Sequence, residues 1–292
     1  MIYKTNRNAE RFTLPAKMFH KLGLFLLHRP SGQQTALFFK AVASLFSSSR
    51  SFKTDSKNII MQTFFTGVEV FPILFVVATL FGTVVIVEVI TMMGTMGFSD
   101  IVGSLIVVVI IRELGPVLTA FLIAGRSGSS LTTYIGSMVI NSEVDALATM
   151  GVDPVRYLVM PGLIGGCIAL VIMNIFFSVS AIVFGYIVTK GSILLSGNAL
   201  NIQLTWSYLS NEILNALSLS DFVFVILKPL VFGAIITTNA CYQALNIQRD
   251  VRQVPKATSR SVVKSFLYVV IADVFLSVYY FVEYMNNLST LI

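Results

Sequence analysis

Five apolar runs set the pattern of this chain, at approximately 72–92, 101–124, 157–188, 222–245 and 265–285. As helices rising about 1.5 Å per residue, all five are long enough to cross the roughly 30 Å hydrocarbon core of a bilayer. The third run is 32 residues and would reach about 48 Å, so it must tilt, protrude or bend. Pro161 with Gly165-Gly166 marks the place for a bend. Gly162 and Gly166 form a small-xxx-small pair, which predicts tight helix packing inside one subunit.

Between the second and third runs, residues Asn141 to Pro154 read as a short helix of their own. Ser142 and Asp145 fit a capping arrangement, and Gly151 followed by Pro154 supplies the stop. Val144, Leu147, Ala148 and Met150 are expected to be exposed on it, a sticky face suited to a groove on another protein, unless the helix lies flat on its own subunit. Ahead of the first run, Pro15–His28 and Gln33–Phe46 interleave apolar residues with Lys17, His20, Lys21, His28 and Lys40, the pattern of helices lying in the membrane interface. Ser47-Ser48-Ser49 with Ser51 reads as a loop before the spans. The predicted fold class is therefore all-α integral membrane, with a basic interfacial region over residues 1–60 and a five-span domain over 61–292.

Composition agrees: 55% of residues are hydrophobic, 12% are charged and the mean hydropathy is +0.83. Soluble domains carry roughly twice that charge fraction. Residues 1–60 hold ten Lys and Arg against Glu10 and Asp55, and 246–264 holds five against Asp250, so both are expected inside. Segment 189–221 has Lys190 with Glu212 and Asp221, and the tail after Tyr284 is uncharged; both are expected outside. Five spans with a cytoplasmic amino terminus satisfy all four placements. The net charge of +6 is then an inside-retention and lipid-surface effect, not a nucleic-acid signal.

Nucleotide and metal chemistry find no support. No Gly-Lys dipeptide occurs, so the chain has no phosphate loop. His20 and His28 sit in the basic amino-terminal region, and Cys167 and Cys241 lie isolated in apolar runs, so neither a metal site nor a disulfide framework is indicated. The remaining chemistry is ionisable groups within the runs: Glu88, Arg112, Glu113, Lys228 and Asp273. An Arg near the centre of a span costs roughly 2.5–3.5 kcal/mol on insertion scales, so Arg112-Glu113-Leu114-Gly115-Pro116, a charged pair beside a helix breaker, stands out. The pair either neutralises itself against a neighbouring helix or faces a polar or lipid-headgroup path. Lys228, just before Pro229, is expected to snorkel toward the outer interface, and Asp273 to bind a backbone group or an adjacent helix.

Val109 to Ala120, Ala124-Gly125-Arg126-Ser127-Gly128-Ser129 and Asp145 to Arg156 closely resemble the MlaE permeases of MCE-type lipid ABC transporters. Val231-Phe232-Gly233, Cys241-Tyr242-Gln243, Lys256 to Val263 and Ala272-Asp273 extend the resemblance, which covers about residues 65–280. The resemblance implies a homodimeric permease of a bacterial inner membrane or a plastid inner envelope. Its implied partners are a separate ABC ATPase that uses the ATP, an MCE-domain lipid-binding protein outside, and phospholipid cargo; no cofactor would be bound by this chain. It makes the helix at 142–151 the coupling helix, with Glu143, Asp145, Leu147, Met150 and Gly151 as its ATPase-facing residues. It places the lipid pocket at Glu88, Met92, Met93, Met96, Arg112 and Glu113. Many members carry Gln where this chain has Glu88, at the same spacing of 24 residues to Arg112. An acid beside a phosphate site repels it unless Arg112 or a proton neutralises it.

Two other classes use the same residues. An ion-coupled secondary carrier would relay through Glu88, Arg112, Glu113 and Asp273, and would need a gradient but no ATPase. A membrane-embedded lipid-modifying enzyme would turn over substrate as the purified chain alone.

Overall fold

The computed structural model describes residues 34–39, 41, 52–96, 102–195, 205–248 and 250–289, with side chains at all of these but 52–56, 93–96, 193 and 283–289. Within them the chain is helical apart from short turns and connections and has no strand, as a backbone in hydrocarbon must be when it has no water to satisfy its polar groups. Five helices are long and apolar enough to cross a membrane, so this is a multi-pass membrane protein. We label the helices α1 (Phe52–Val68), α2 (Phe71–Met96), α3 (Val102–Ile140), α4 (Glu143–Thr149), α5 (Met160–Leu195), α6 (Trp206–Ala216), α7 (Leu219–Leu245) and α8 (Gln253–Ser289). The spans are α2, α3, α5, α7 and α8.

Helix α5 is the central post and packs against α1, α2 and α7, while α7 also carries α8 and the second half of α3. The expected close packing at Gly166 lies within the subunit: a side-chain carbon at Gly233 of α7 would sit 2.8 Å from the Cys167 Cα of α5. Leu74, Ile86, Ile106, Ile110, Leu170, Phe177 and Phe232 fill the shared core.

Three boundaries depart from the hydropathy pattern. Helix α3 does not stop at 124 but runs on through a polar stretch to Ile140. Four of its hydroxyls are spent inside the helix, with Ser129, Thr132, Thr133 and Ser137 each donating to the carbonyl four residues back. Nor does Gly115-Pro116 break α3. The helix widens into π geometry over Val107–Leu114, where the Gly115 N–H reaches the Ile110 carbonyl five residues back, and the α-helix resumes at Gly115 with Pro116 in its first turn. A second helix, α6, occupies part of the segment expected to be an outer loop, anchored by buried Leu209 and Ile213.

Upstream, residues 34–39 are helical, the Gln34 side chain donates to Asn239 of α7 at 3.1 Å, and Ala41 is buried. The other predicted interfacial segment, Pro15–His28, lies outside the described residues. Helix α1 was not predicted; it turns Ile60, Met61, Phe64 and Phe65 outward.

Candidate functional site

The charged residues of α3, α7 and α8 meet in one cluster. Arg112, in the π segment of α3, pairs with Asp221 in the first turn of α7 and lies 4.5 Å from the centre of the Tyr280 ring of α8. Asp221 is completely buried and is held from its other side by Ser218, whose backbone N–H (2.8 Å) and hydroxyl (2.9 Å) both donate to Oδ2. One carboxylate therefore caps α7 and neutralises Arg112.

Glu113 turns to a different cation. The Lys228 ammonium lies 3.1 Å from both Glu113 carboxylate oxygens and 3.0 Å from Asp273, and donates to the Ser277 hydroxyl at 2.9 Å. It also donates to the Arg112 carbonyl at 3.0 Å. That carbonyl is the one an α-helix would bond to the N–H of residue 116, and Pro116 has none. Lys228 thus covers a backbone acceptor that the proline leaves open.

The expectation for Lys228 is corrected by this geometry. It does not snorkel to an interface but is 2% exposed, because four oxygen-bearing groups from two other helices surround it and repay the loss of water. Asp273 does bind an adjacent helix, through Lys228. Arg112 and Glu113 do not neutralise each other; each takes its counter-ion from α7. Asp221, Ser277 and Tyr280 were missed as members of this cluster. Ser218-x-x-Asp221 ahead of an apolar run is a legible helix-start signal, but its link to Arg112 is set by packing alone.

Glu88 and Met92 both lie on exposed faces of α2. Met93 and Met96 belong to the same helix, with side chains outside the described set. Among the described residues Arg112 is ion-paired to Asp221 and not to Glu88. Glu113 keeps 41% of its side chain exposed, so the cluster's three carboxylates against two cations open outward there.

On the opposite end of α3, helix α4 forms as a short element, but its cap differs from the expectation. Ser142 takes a left-handed conformation (φ 60°) and its hydroxyl makes no cap; instead Asn141 donates to Glu143 at 3.2 Å. Gly151 does supply the stop, at φ +79°, a value that favours glycine. Val144 is buried against Ile135, Leu158, Val159 and Cys241, so it seats α4 on its own subunit and does not contribute to an exposed face. Leu147 is half-buried, while Glu143, Asp145, Ala148 and Met150 are exposed.

The chain matches the family of permease MlaE over residues 59–279. It belongs to the MlaE permease family. The match takes in all of α2 to α7 and most of α8, and so both the charged cluster and α4. A probable ABC transporter permease protein of Synechocystis is 30% identical over 256 residues, covering 85% of this chain and 94% of its own. A probable ABC transporter permease protein of Rickettsia typhi is 29% identical over 215 residues, 74% of this chain and 80% of its own. The Arabidopsis thaliana chloroplastic protein named trigalactosyldiacylglycerol 1 is 28% identical over 226 residues, 77% of this chain and 62% of its own. MlaE membership makes the chain an ABC transporter permease, a transport subunit.

Proposed function

We propose that this chain is the membrane subunit of a lipid ABC transporter, exchanging glycerophospholipid between its membrane and an MCE-domain carrier protein under the drive of a separate ATPase. The observation that carries the reading is the match of residues 59–279, four spans and most of the fifth, to the MlaE permease family. A relative named for a glycerolipid supports the cargo class. Two copies form the working permease, in a bacterial inner membrane or a plastid inner envelope, with the amino terminus in the cytoplasm or stroma.

In this reading Glu88, Met92, Met93, Met96, Arg112 and Glu113 line the lipid path. Flexible thioethers suit acyl chains of varied shape, and the outward opening at Glu113 puts charge where a headgroup passes. Arg112 reaches a phosphate only while it also holds Asp221, so its work is to fix the path's electrostatics as much as to grip cargo. Helix α4 receives the push of the ATPase through Glu143, Asp145, Leu147, Met150 and Gly151. Closure of the ATPases tilts α4, which moves α3 at one end and the π segment carrying Arg112 and Glu113 at the other.

The test is purification of the tagged chain in mild detergent with mass spectrometry of associated proteins and lipids, followed by reconstitution. Recovery of an ATPase with an MCE-domain protein, and ATP-dependent phospholipid transfer by the reconstituted complex, is the expected result. A solitary chain that moves solutes on an ion gradient, or that converts lipid chemically by itself, overturns it.

A further inference from the structure

The structure contains a cavity of about 480 Å³ far from the charged cluster, between α1, the second half of α3 and the start of α5. Ser130 on its wall is 18 residues beyond Arg112, about 27 Å along a helix, nearly the full thickness of the hydrocarbon core. Its depth follows from the apolar runs: the run of α3 ends at Ala124 and that of α5 begins at Tyr157, and both ends converge on the cavity. The cavity therefore sits where hydrocarbon gives way to headgroups, on the side that the basic loops assign to the cytoplasm.

Its lining has two characters. Leu131 and Leu158 give an apolar floor, Met61 and Phe65 line its open, outward-facing side, and the exposed Tyr134 and Tyr157 stand at the mouth as interfacial aromatics. Gln62 and Ser130 are uncharged hydrogen-bonding groups on the wall. Among the described residues the single charged lining residue is Glu69, and beside it Arg126 lies 3.6 Å away, both with solvent-facing surface to spare at 39% and 56% exposure. The Ser127 hydroxyl donates to the Thr66 carbonyl at 2.9 Å and ties α1 to α3. A volume of this size is that of a small-molecule pocket, enough for a headgroup, its glycerol and the upper acyl segments.

We propose that this cavity is a binding site for a phospholipid of the cytoplasmic leaflet with a zwitterionic, ammonium-bearing headgroup. Arg126 takes the phosphate, Glu69 takes the ammonium, and the acyl chains run over Phe65 and Met61 into the bilayer. An anionic headgroup leaves Glu69 facing like charge, so phosphatidylglycerol binds less well than phosphatidylethanolamine. The site is separate from the path at Arg112, and it rests on the lipid-transport reading only for the thought that this lipid is cargo or a regulator of cargo movement.

The full chain is reconstituted in nanodiscs containing equal phosphatidylethanolamine and phosphatidylglycerol, without ATPase or carrier. Photoreactive p-benzoylphenylalanine replaces Tyr134, and adducts are identified by mass spectrometry. Phosphatidylethanolamine adducts should exceed phosphatidylglycerol adducts by about fivefold or more, within reach of one charge-assisted contact. The same probe at Val179, an exposed position on α5, should report bulk proportions. Ser130→Trp, at an exposed position on the wall, should remove the enriched adduct, and Arg126→Gln should equalise the two lipids while labelling continues. Bulk proportions at Tyr134, adducts indifferent to Ser130→Trp, or cross-links to residues 1–51 or to a second copy overturn the proposal. Enrichment without any captured ATPase defeats only the transport reading; ATP-driven transfer without enrichment defeats only this one.

Discussion

Lys228 shows how strongly a single side chain can be committed inside a membrane bundle. Its ammonium meets Glu113, Asp273, Ser277 and the carbonyl opposite Pro116 at once. Lys228→Met keeps the side-chain length but leaves two carboxylates unpaired, and removing one partner of a buried pair costs about 3–5 kcal/mol. The variant should show a clearly lower melting temperature in detergent, and adding Asp273→Leu should restore part of it, a coupling read by a double-mutant cycle. Arg112→Ala poses the same problem, because it strands Asp221 in a fully buried position. Arg112→Ala with Asp221→Asn should recover assembly while ATP-dependent lipid transfer stays lost. Transfer at the original rate in that assembled double variant would remove Arg112 from the mechanism.

Among the elements, α4 is seated by Val144 and presents Met150 outward, 69% exposed. Met150→Glu should therefore leave the permease's melting temperature unchanged and weaken capture of the ATPase by about tenfold or more, equivalent to about 1.4 kcal/mol, in a pull-down titration. Val144→Asp should do the reverse, destabilising the permease itself by burying an unpaired charge. At the end of the same helix, Gly151→Ala forces a Cβ into a left-handed conformation at a cost of about 1–2 kcal/mol. Space is not the obstacle, since beyond its chain neighbours no atom of the described residues lies within 4 Å of a Cβ placed there. Its signature should be a reduced rate of ATP-dependent lipid transfer, because the strain falls where α4 stops and the chain turns toward α5.

For the whole molecule, α8 is the most weakly embedded span, with 11% of its apolar window buried and Val270, Val274, Phe275 and Val278 facing outward. A face of that kind is covered by lipid or by another copy. Light scattering of the detergent-solubilised chain, corrected for bound detergent, should give twice the 32.0 kDa of one subunit. A mass of one subunit, stable across mild detergents, would count against the two-copy permease.

The five spans and the short helix between the second and third are written in the sequence, because hydrocarbon thickness and backbone satisfaction demand long apolar helices whatever the packing. The carriers of charge were legible too, since any ionisable residue in such a run is costly and visible. Pairing was not legible. Arg112 and Glu113 are neighbours in the chain, yet each finds its counter-ion on α7, at Asp221 and at Lys228, because adjacent residues on a helix point about 100° apart. Likewise the continuation of α3 to Ile140 depends on hydroxyls that satisfy themselves against their own backbone, which a hydropathy pattern counts only as polar. The cavity by Tyr134 is wholly a product of tertiary structure, formed where α1 and the ends of two spans meet without filling the space between them. Local chemistry decided which segments enter the membrane; long-range packing decided which charges meet and where the bundle stays open.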